Sequence, residues 1–294
     1  YDILNRFEKI LEFKNDNERI EKYRNIKNEL KRKLNINGWD GKWFKRAIDD
    51  DGKIIGSIDS EECKIDVLSQ SWAIISDCGD NDKKYICLEN AENYLVDREN
   101  KLIKLFTPAF ENSNLNPGYI KAYPAGVREN GGQYTHGCLW LAMACFRLGL
   151  GDKGFELLSL MNPINHSKNM ESINKYKKEP YVVAADVYSS KGMEGRGGWT
   201  WYTGSSSWYY LAGIQYILGL NINHNYMSFN PCIPKEWEEF DVRYKFGESI
   251  YNIKVKNSNR KNKGVSKVII DGEEIENKIT LDSSGSIHNI EVEM

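Results

Sequence analysis

The chain has 294 residues, and 40 basic side chains against 42 acidic ones give a formal net charge of −2. A chain of this length can bury a substantial core, in one large domain or two unequal ones. The near-neutral balance gives no indication of nucleic acid or an anionic membrane as a partner, and no apolar run is long enough to span a bilayer.

The six cysteines form no CxxC pair and have no histidine at metal-ligand spacing. We therefore expect free thiols, no metal site and a reducing, cytoplasmic compartment. The acidic run Asp49–Asp51 is interpreted as a turn because Gly52 follows it and no further carboxylates stand at ligand spacing.

Hydrophobic periodicity predicts a series of helices separated by long, aromatic, Gly-containing loops. The predicted helices cover residues 16–34, 69–77, 84–96, 137–149, 151–161 and 205–220. From residue 226 the pattern changes to the alternation of strands, with turns at Gly247–Ser249 and at Asp271–Gly272. The sequence thus predicts a helical domain over residues 1–225 and a small β domain over residues 226–294.

The segment from Arg196 to Trp208 has four aromatic residues and a Gly-rich approach to the last predicted helix. Thr203 is the predicted N-cap of that helix, and Gly204 lies in its first turn. A helix start carries unpaired N–H groups and partial positive charge, so it attracts anions. Three flat aromatic side chains suited to sugar rings stand next to it: Trp199, Trp201 and Tyr202. This combination predicts carbohydrate chemistry that involves phosphate, whereas aromatic residues within the helix are interpreted as core.

Several strings, in this order along the chain, resemble the inverting sugar phosphorylases of glycoside hydrolase family 94. They are most similar to its β-1,2-glucan branch, including the phosphorylase-like C-terminal region of cyclic β-1,2-glucan synthases. The strings are Gly38–Phe44, Gln70–Ala73, Tyr123–His136, Asn162–His166, Glu179–Val182 and Trp199–Trp208. The resemblance spans residues 35 to 235 and implies part of an (α/α)₆ barrel followed by a small, sandwich-like β domain.

The resemblance also implies roles for individual residues. His136, Thr203 and Gly204 match the residues with which the family binds phosphate. Arg128 and Glu129 match a pair at the sugar subsites, although on a strand two adjacent side chains point to opposite sides. Gln70 and Trp72 are further candidates for sugar contacts. The remaining histidines, His166, His224 and His288, are interpreted as structural.

The family's general acid is an Asp in an Asp-Trp-Asn-Asp motif that this sequence lacks, so we expect it upstream of this chain. The activity implied is phosphorolysis of β-glucans, with phosphate as co-substrate and no cofactor. We expect the chain alone to be inactive, and to pair with the remaining part of the enzyme or with a second copy. Two alternatives stay open: a glycoside hydrolase with Glu129 or Asp186 as base, and a non-catalytic carbohydrate-binding or chain-length-control module of a glucan synthase.

Overall fold

The computed structural model describes residues 1–113, 115–201 and 203–294, except for the side chain of Thr203. Eight α-helices lie in these ranges. They are α1 (Asp2–Lys14), α2 (Asn17–Asn37), α3 (Val67–Ile75), α4 (Asn81–Leu95), α5 (Thr135–Arg147), α6 (Gly151–Met161), α7 (Met170–Tyr176) and α8 (Thr203–Leu211). A π-helical turn (Ala212–Ile217) continues α8, and two short 3₁₀ helices cover Gly118–Ala122 and Pro163–His166.

The strands are short in the first two-thirds of the chain and longer after residue 238. They are β1 (Ala47–Ile48), β2 (Ile54–Ile55), β3 (Ile65–Asp66), β4 (Val96–Asp97), β5 (Leu102–Ile103), β6 (Phe106–Thr107), β7 (Gln133–Tyr134), β8 (Asp186–Val187), β9 (Leu220–Asn223), β10 (Tyr226–Phe229), β11 (Glu239–Phe246), β12 (Ser249–Lys256), β13 (Lys267–Ile270), β14 (Glu273–Ile275), β15 (Ile279–Thr280) and β16 (Ile287–Glu293). The described chain is therefore helical with several small sheets, and its last third is β-rich.

Contacts divide the chain into two compact units. The first comprises Tyr1–Ala144 and Leu160–Ser205, and the second comprises Cys145–Ser159 and Ser206–Met294. Every residue predicted to bind phosphate or sugar belongs to the first unit. The predicted domain boundary after residue 225 stays a prediction.

The helices predicted from periodicity are confirmed, with ends that shift by a few residues. Two helices were not predicted. In α1 the apolar residues recur at helical spacing, and Asn15 ends the helix in the left-handed conformation, with φ 56°. Helix α7 has only seven residues, and its start is stabilised by the Asn169 side chain, which accepts a hydrogen bond from Ser172 N at 2.9 Å.

Helices α3 and α5 pack closely because the contact point is a glycine. A Cβ added at Gly137 would lie 2.8 Å from Cδ2 of Leu68 and 3.0 Å from Cδ1 of Leu105. Asp66 is the N-cap of helix α3, and its side chain accepts a hydrogen bond from Leu68 N at 2.8 Å. This packing places the first turn of α5 against the core of the first unit.

The second unit contains a five-stranded sheet in the order β11-β12-β16-β13-β14. The predicted hairpins are confirmed: β11 and β12 are joined at Gly247–Glu248, and β13 and β14 at Asp271–Gly272. Strand β16 lies between β12, to which it is parallel, and β13, to which it is antiparallel. Strand β15 belongs to a separate three-stranded sheet with β10 and β9.

Apolar side chains on α1 and α2 remain exposed. Ile3 and Phe13 are 80% and 81% exposed, and Ile36 is 60% exposed. An exposed apolar face of this kind is typical of a surface that associates with another element. The predicted pairing with another chain stays a prediction. Within the described residues, the helices lack the length and apolarity needed to cross a membrane.

Candidate functional site

A small three-stranded arrangement holds the site together. Strand β7 pairs with β8, and Val187 of β8 forms a bridge with Gly197. The backbone continues this pairing, since Gly198 N donates to Asp186 O at 2.8 Å and Ala185 N donates to Trp199 O at 2.7 Å. Strand β7 leads directly into α5, and the segment after Trp199 leads into α8. The arrangement thereby brings the starts of two helices together.

His136 and Gly204 meet where these two helices begin. A Cβ added at Gly204 would lie 3.6 Å from Nδ1 of His136, so the imidazole rests against the glycine backbone. His136 is the second residue of α5, and Gly204 is the second residue of α8. The first turns of two helices and an imidazole nitrogen thus converge at one place, and the partial positive charge of a helix start favours an anion there.

An aromatic row backs His136. Its ring contacts Trp140 edge-on, with 5.0 Å between centroids, and Trp140 contacts Trp72 in the same way at 5.2 Å. Burial lowers the pKa of His136, so its imidazole is neutral at pH 7 when no anion is bound. Trp140 was missed in the sequence, although it stands four residues after His136, one helical turn away. Trp72 is half-buried at the end of this row.

Two predicted site residues lie partly or wholly outside the described residues. Helix α8 begins at Thr203 itself, so this residue is the first of the helix and not the residue before it, a one-residue difference from the predicted N-cap. The Thr203 side chain and all of Tyr202 are outside the described part of the chain.

Trp199 and Trp201 are exposed, by 61% and 70% respectively. Large apolar side chains that remain accessible are suited to binding a ligand with apolar faces. Trp201 adopts a left-handed backbone conformation, with φ 63°, and its ring lies 6.3 Å from that of Tyr181. Tyr181, itself 76% exposed, extends the aromatic surface and was not predicted as a site residue.

Arg128 and Glu129 do not lie on a strand with opposite orientations. They form a two-residue turn between Val127 and Asn130, and Arg128 has φ 49°. Since the turn reverses the chain, the two side chains face each other, and Arg128 Nε lies 3.4 Å from Glu129 Oε2. Both side chains are largely buried, at 16% and 15% exposed, so this is not a solvated surface pair.

The Arg128 guanidinium lies over two aromatic rings. Its Cζ is 5.4 Å from the Tyr123 ring centre and 5.6 Å from that of Trp199. Cation–π contacts of this kind fix the plane of the guanidinium. The structure therefore brings Arg128, Glu129 and Trp199 together, and their role as a sugar subsite stays a prediction.

Gln70 has a different environment from the one predicted. Its side chain is fully buried, and Nε2 donates to the carbonyl oxygens of Phe44 and Asp66, both at 2.9 Å. Its Oε1 accepts from Phe44 N at 2.8 Å. Because these bonds engage both ends of the amide, the structure favours a role in holding the loop before α3 over direct contact with sugar.

Other polar residues that were interpreted as structural form contacts within the protein. Asp49 Oδ1 accepts from Lys53 N at 2.7 Å, which confirms the turn between β1 and β2. His166 is buried against Tyr176, with 4.4 Å between ring centres, and burial lowers its pKa to about 4. His288 lies between Asp271 and Asp282 at 2.7 Å and 2.8 Å.

The profile of the Glycosyl hydrolase 94 superfamily, catalytic domain, matches residues 1–219. This chain belongs to that family. Among curated proteins, it is 38% identical over 239 residues to the cyclic β-(1,2)-glucan synthase NdvB of Rhizobium meliloti (strain 1021), an alignment that covers 81% of this chain and 8% of the synthase.

Two phosphorylases are also similar. Solabiose phosphorylase of Paenibacillus borealis is 29% identical, over 90% of this chain and 34% of its own length. N,N′-diacetylchitobiose phosphorylase of Vibrio furnissii is 28% identical, over 98% of this chain and 36% of its own length. The chain thus spans about a third of the phosphorylases and a much smaller part of the synthase.

Proposed function

We propose that this chain is the phosphate-binding part of an inverting phosphorylase that acts on β-glucans. Phosphate attacks the anomeric carbon, the glycosidic C–O bond breaks, and the products are α-glucose 1-phosphate and a shortened glucan. The observation that carries the proposal is the contact between His136 and Gly204 at the two helix starts. Trp199 and Trp201 supply the adjacent surface for sugar rings.

Phosphorolysis suits this set of groups better than hydrolysis does. An inverting hydrolase needs a carboxylate that activates water as well as an acid. Phosphate is already an anionic nucleophile near neutral pH, so the protein needs only to hold it with N–H, hydroxyl or imidazole donors. Backbone N–H groups, His136 and the Thr203 hydroxyl are such donors.

The two carboxylates considered for a hydrolase are poorly suited to activating water. Asp186 is 1% exposed, and its carboxylate is covered by the backbone of Gly198. The Glu129 carboxylate is paired with Arg128, whose Nε lies 3.4 Å from Glu129 Oε2. We therefore assign neither as a base, and we assign the general acid to none of the carboxylates in this chain.

The β-1,2 linkage is proposed because the relative at 38% identity is a cyclic β-(1,2)-glucan synthase. We further propose that the helices belong to an (α/α)₆ barrel, that the last strands form a sandwich-like domain, and that the enzyme works in the cytoplasm. Inorganic phosphate is the proposed co-substrate, without any other cofactor.

The proposal is tested by phosphate dependence. The full-length enzyme that contains this chain is incubated with β-1,2-gluco-oligosaccharides with and without phosphate, and sugar products are measured. We expect α-glucose 1-phosphate only when phosphate is present. Equal release of glucose under both conditions, without sugar phosphate, would indicate a hydrolase. A protein that binds the oligosaccharide but releases no product under either condition would indicate a binding module.

Anion binding at His136 is expected to strengthen as the pH falls from about 8 to about 6. Burial holds the imidazole neutral in the free protein, whereas a bound dianion favours imidazolium and raises its pKa, so binding takes up a proton. Sulfate is the appropriate probe because its own charge does not change in this range. Calorimetry should show the trend in the unmodified protein and lose it in His136→Gln; an unchanged trend in that variant would place the titrating group elsewhere.

A further inference from the structure

Asp186 has a buried carboxylate, and the hydrogen bonding of its two oxygens differs. Its Oδ1 accepts a hydrogen bond from Trp199 N at 3.0 Å. Its Oδ2 is also buried, and it has no hydrogen-bond partner among the residues that the structure describes. Buried polar atoms without a partner are uncommon, so each one calls for an explanation.

The Asp186 carboxylate packs against the backbone of Gly198. A Cβ added at Gly198 would lie 2.5 Å from Asp186 Cγ, so only glycine fits there. The backbones are also bonded, since Gly198 N donates to Asp186 O at 2.8 Å. Asp186 therefore lies directly beneath the backbone segment that presents Trp199.

Asp186 also acts on the guanidinium that lies over Trp199. Burial works against the charged form of Arg128, but the acidic groups of Glu129, Tyr123 and Asp186 together raise its pKa. In turn, burial raises the pKa of Asp186, while the Trp199 N–H and then Arg128 oppose that rise. One carboxylate thus accepts a hydrogen bond from the Trp199 backbone, and its negative charge favours the cationic form of Arg128.

The loop that carries Arg128 is bound to the segment that follows β8. Ser189 N donates to Gly126 O at 2.9 Å, and Ser189 Oγ donates to Gly131 O at 2.8 Å. The loop is thus fixed at both ends by residues just after β8, while the guanidinium is held by its ring contacts, by charge and by the Glu129 carboxylate, 3.4 Å from Arg128 Nε. The charge of Asp186 is the part of this arrangement that an uncharged residue of equal size cannot supply.

We propose that Asp186 is a positioning residue for the sugar subsite: it holds the Trp199 backbone with Oδ1 and aligns the Arg128 guanidinium over the Trp199 ring through its charge. The inference rests on the proposed function, because it assigns sugar binding to the Arg128–Trp199 pair. It adds a residue that touches neither sugar nor phosphate and that acts only through these two neighbours.

The test is Asp186→Asn in the full-length enzyme. Asparagine has nearly the same size and keeps an acceptor for Trp199 N, so we expect the unfolding temperature to remain close to that of the parent. Loss of the charge should raise KM for the oligosaccharide about tenfold, with KM for phosphate unchanged. An unchanged KM for the oligosaccharide in the folded variant would overturn the proposal.

A double-mutant cycle with Arg128→Gln shows whether Asp186 acts through Arg128. In that background Asp186→Asn should change KM less than about twofold, because the group it aligns is already gone. Fully additive effects would contradict the proposal. If Asp186→Asn fails to fold, Asp186→Ser removes the same charge with a smaller side chain and carries the same expectation.

Two controls separate this inference from the proposed function. Asp66→Asn removes another buried carboxylate, which is paired with Arg46, and should alter stability without changing KM for the oligosaccharide. If Arg128→Gln raises KM for sugar but Asp186→Asn does not, the inference fails alone. If neither raises it and products form without phosphate, the proposed function fails.

Discussion

Replacing His136 by alanine is expected to lower kcat/KM for phosphate roughly ten- to a hundredfold. The variant removes one donor to a dianion, and a hydrogen bond to a charged group is worth about 1.5–3 kcal/mol. Thr203→Ala should produce a loss of the same order. Initial rates of sugar phosphate formation at varied phosphate concentration, with the oligosaccharide saturating, measure both effects.

The matched control is His224→Asn. His224 is an exposed histidine in the turn between β9 and β10, with φ 55°, a conformation that asparagine tolerates. Its kinetics should match those of the parent enzyme. Circular dichroism and unfolding temperature establish that His136→Ala remains folded. A folded His136→Ala enzyme with an unaltered KM for phosphate would disprove the assignment.

Gly126→Ala is expected to destabilise the first unit by about 2–4 kcal/mol and to impair sugar binding. Gly126 has φ 80°, and an added Cβ would lie 2.6 Å from Cα of Ser190. The substitution therefore combines backbone strain with a clash that pushes the Arg128 loop away from the segment after β8, to which it is hydrogen-bonded. Urea unfolding measures the stability change, and KM for the oligosaccharide measures the effect on the site.

Gly192→Ala is the control that separates the steric clash expected in Gly126→Ala from its backbone strain. Gly192 has nearly the same conformation, with φ 81°, but an added Cβ has nothing within 4 Å. This variant should therefore show only the backbone strain, about 1–2 kcal/mol, with sugar binding intact. Equal losses of stability in the two variants would mean that Gly126 does not hold the loop by close contact.

The helices and hairpins were predictable because their signals are local. Periodicity located α2 to α6, and Asp271–Gly272 gave the turn between β13 and β14. Such signals depend on neighbours within a few residues, so one sequence is sufficient for them. His136 and Gly204, which the structure brings into contact, were predicted as a pair from the resemblance to the family as well as from the glycine-rich approach to α8.

The details of the site depend on contacts between distant segments, which no local pattern contains. Gln70 is the first residue of one of the family-like strings. Its amide is nevertheless hydrogen-bonded to the backbone of Phe44, 26 residues earlier in the chain. Arg128 and Glu129 face each other because Val127 and Asn130 close a turn, which adjacency alone does not indicate. Asp186 acquires its role only when Gly198 folds over it.

The order of strands in the five-stranded sheet of the second unit determines when that sheet can form during synthesis. Strand β16 joins the β11–β12 hairpin to the β13–β14 hairpin, and it follows the other four strands of this sheet in chain order. The two hairpins can form as they are synthesised, but they remain separate sheets with open edges until residue 293 is available. This sheet therefore cannot be completed before β16 has been synthesised, and until then the exposed edges of β12 and β13 are where a nascent chain needs protection from mispairing.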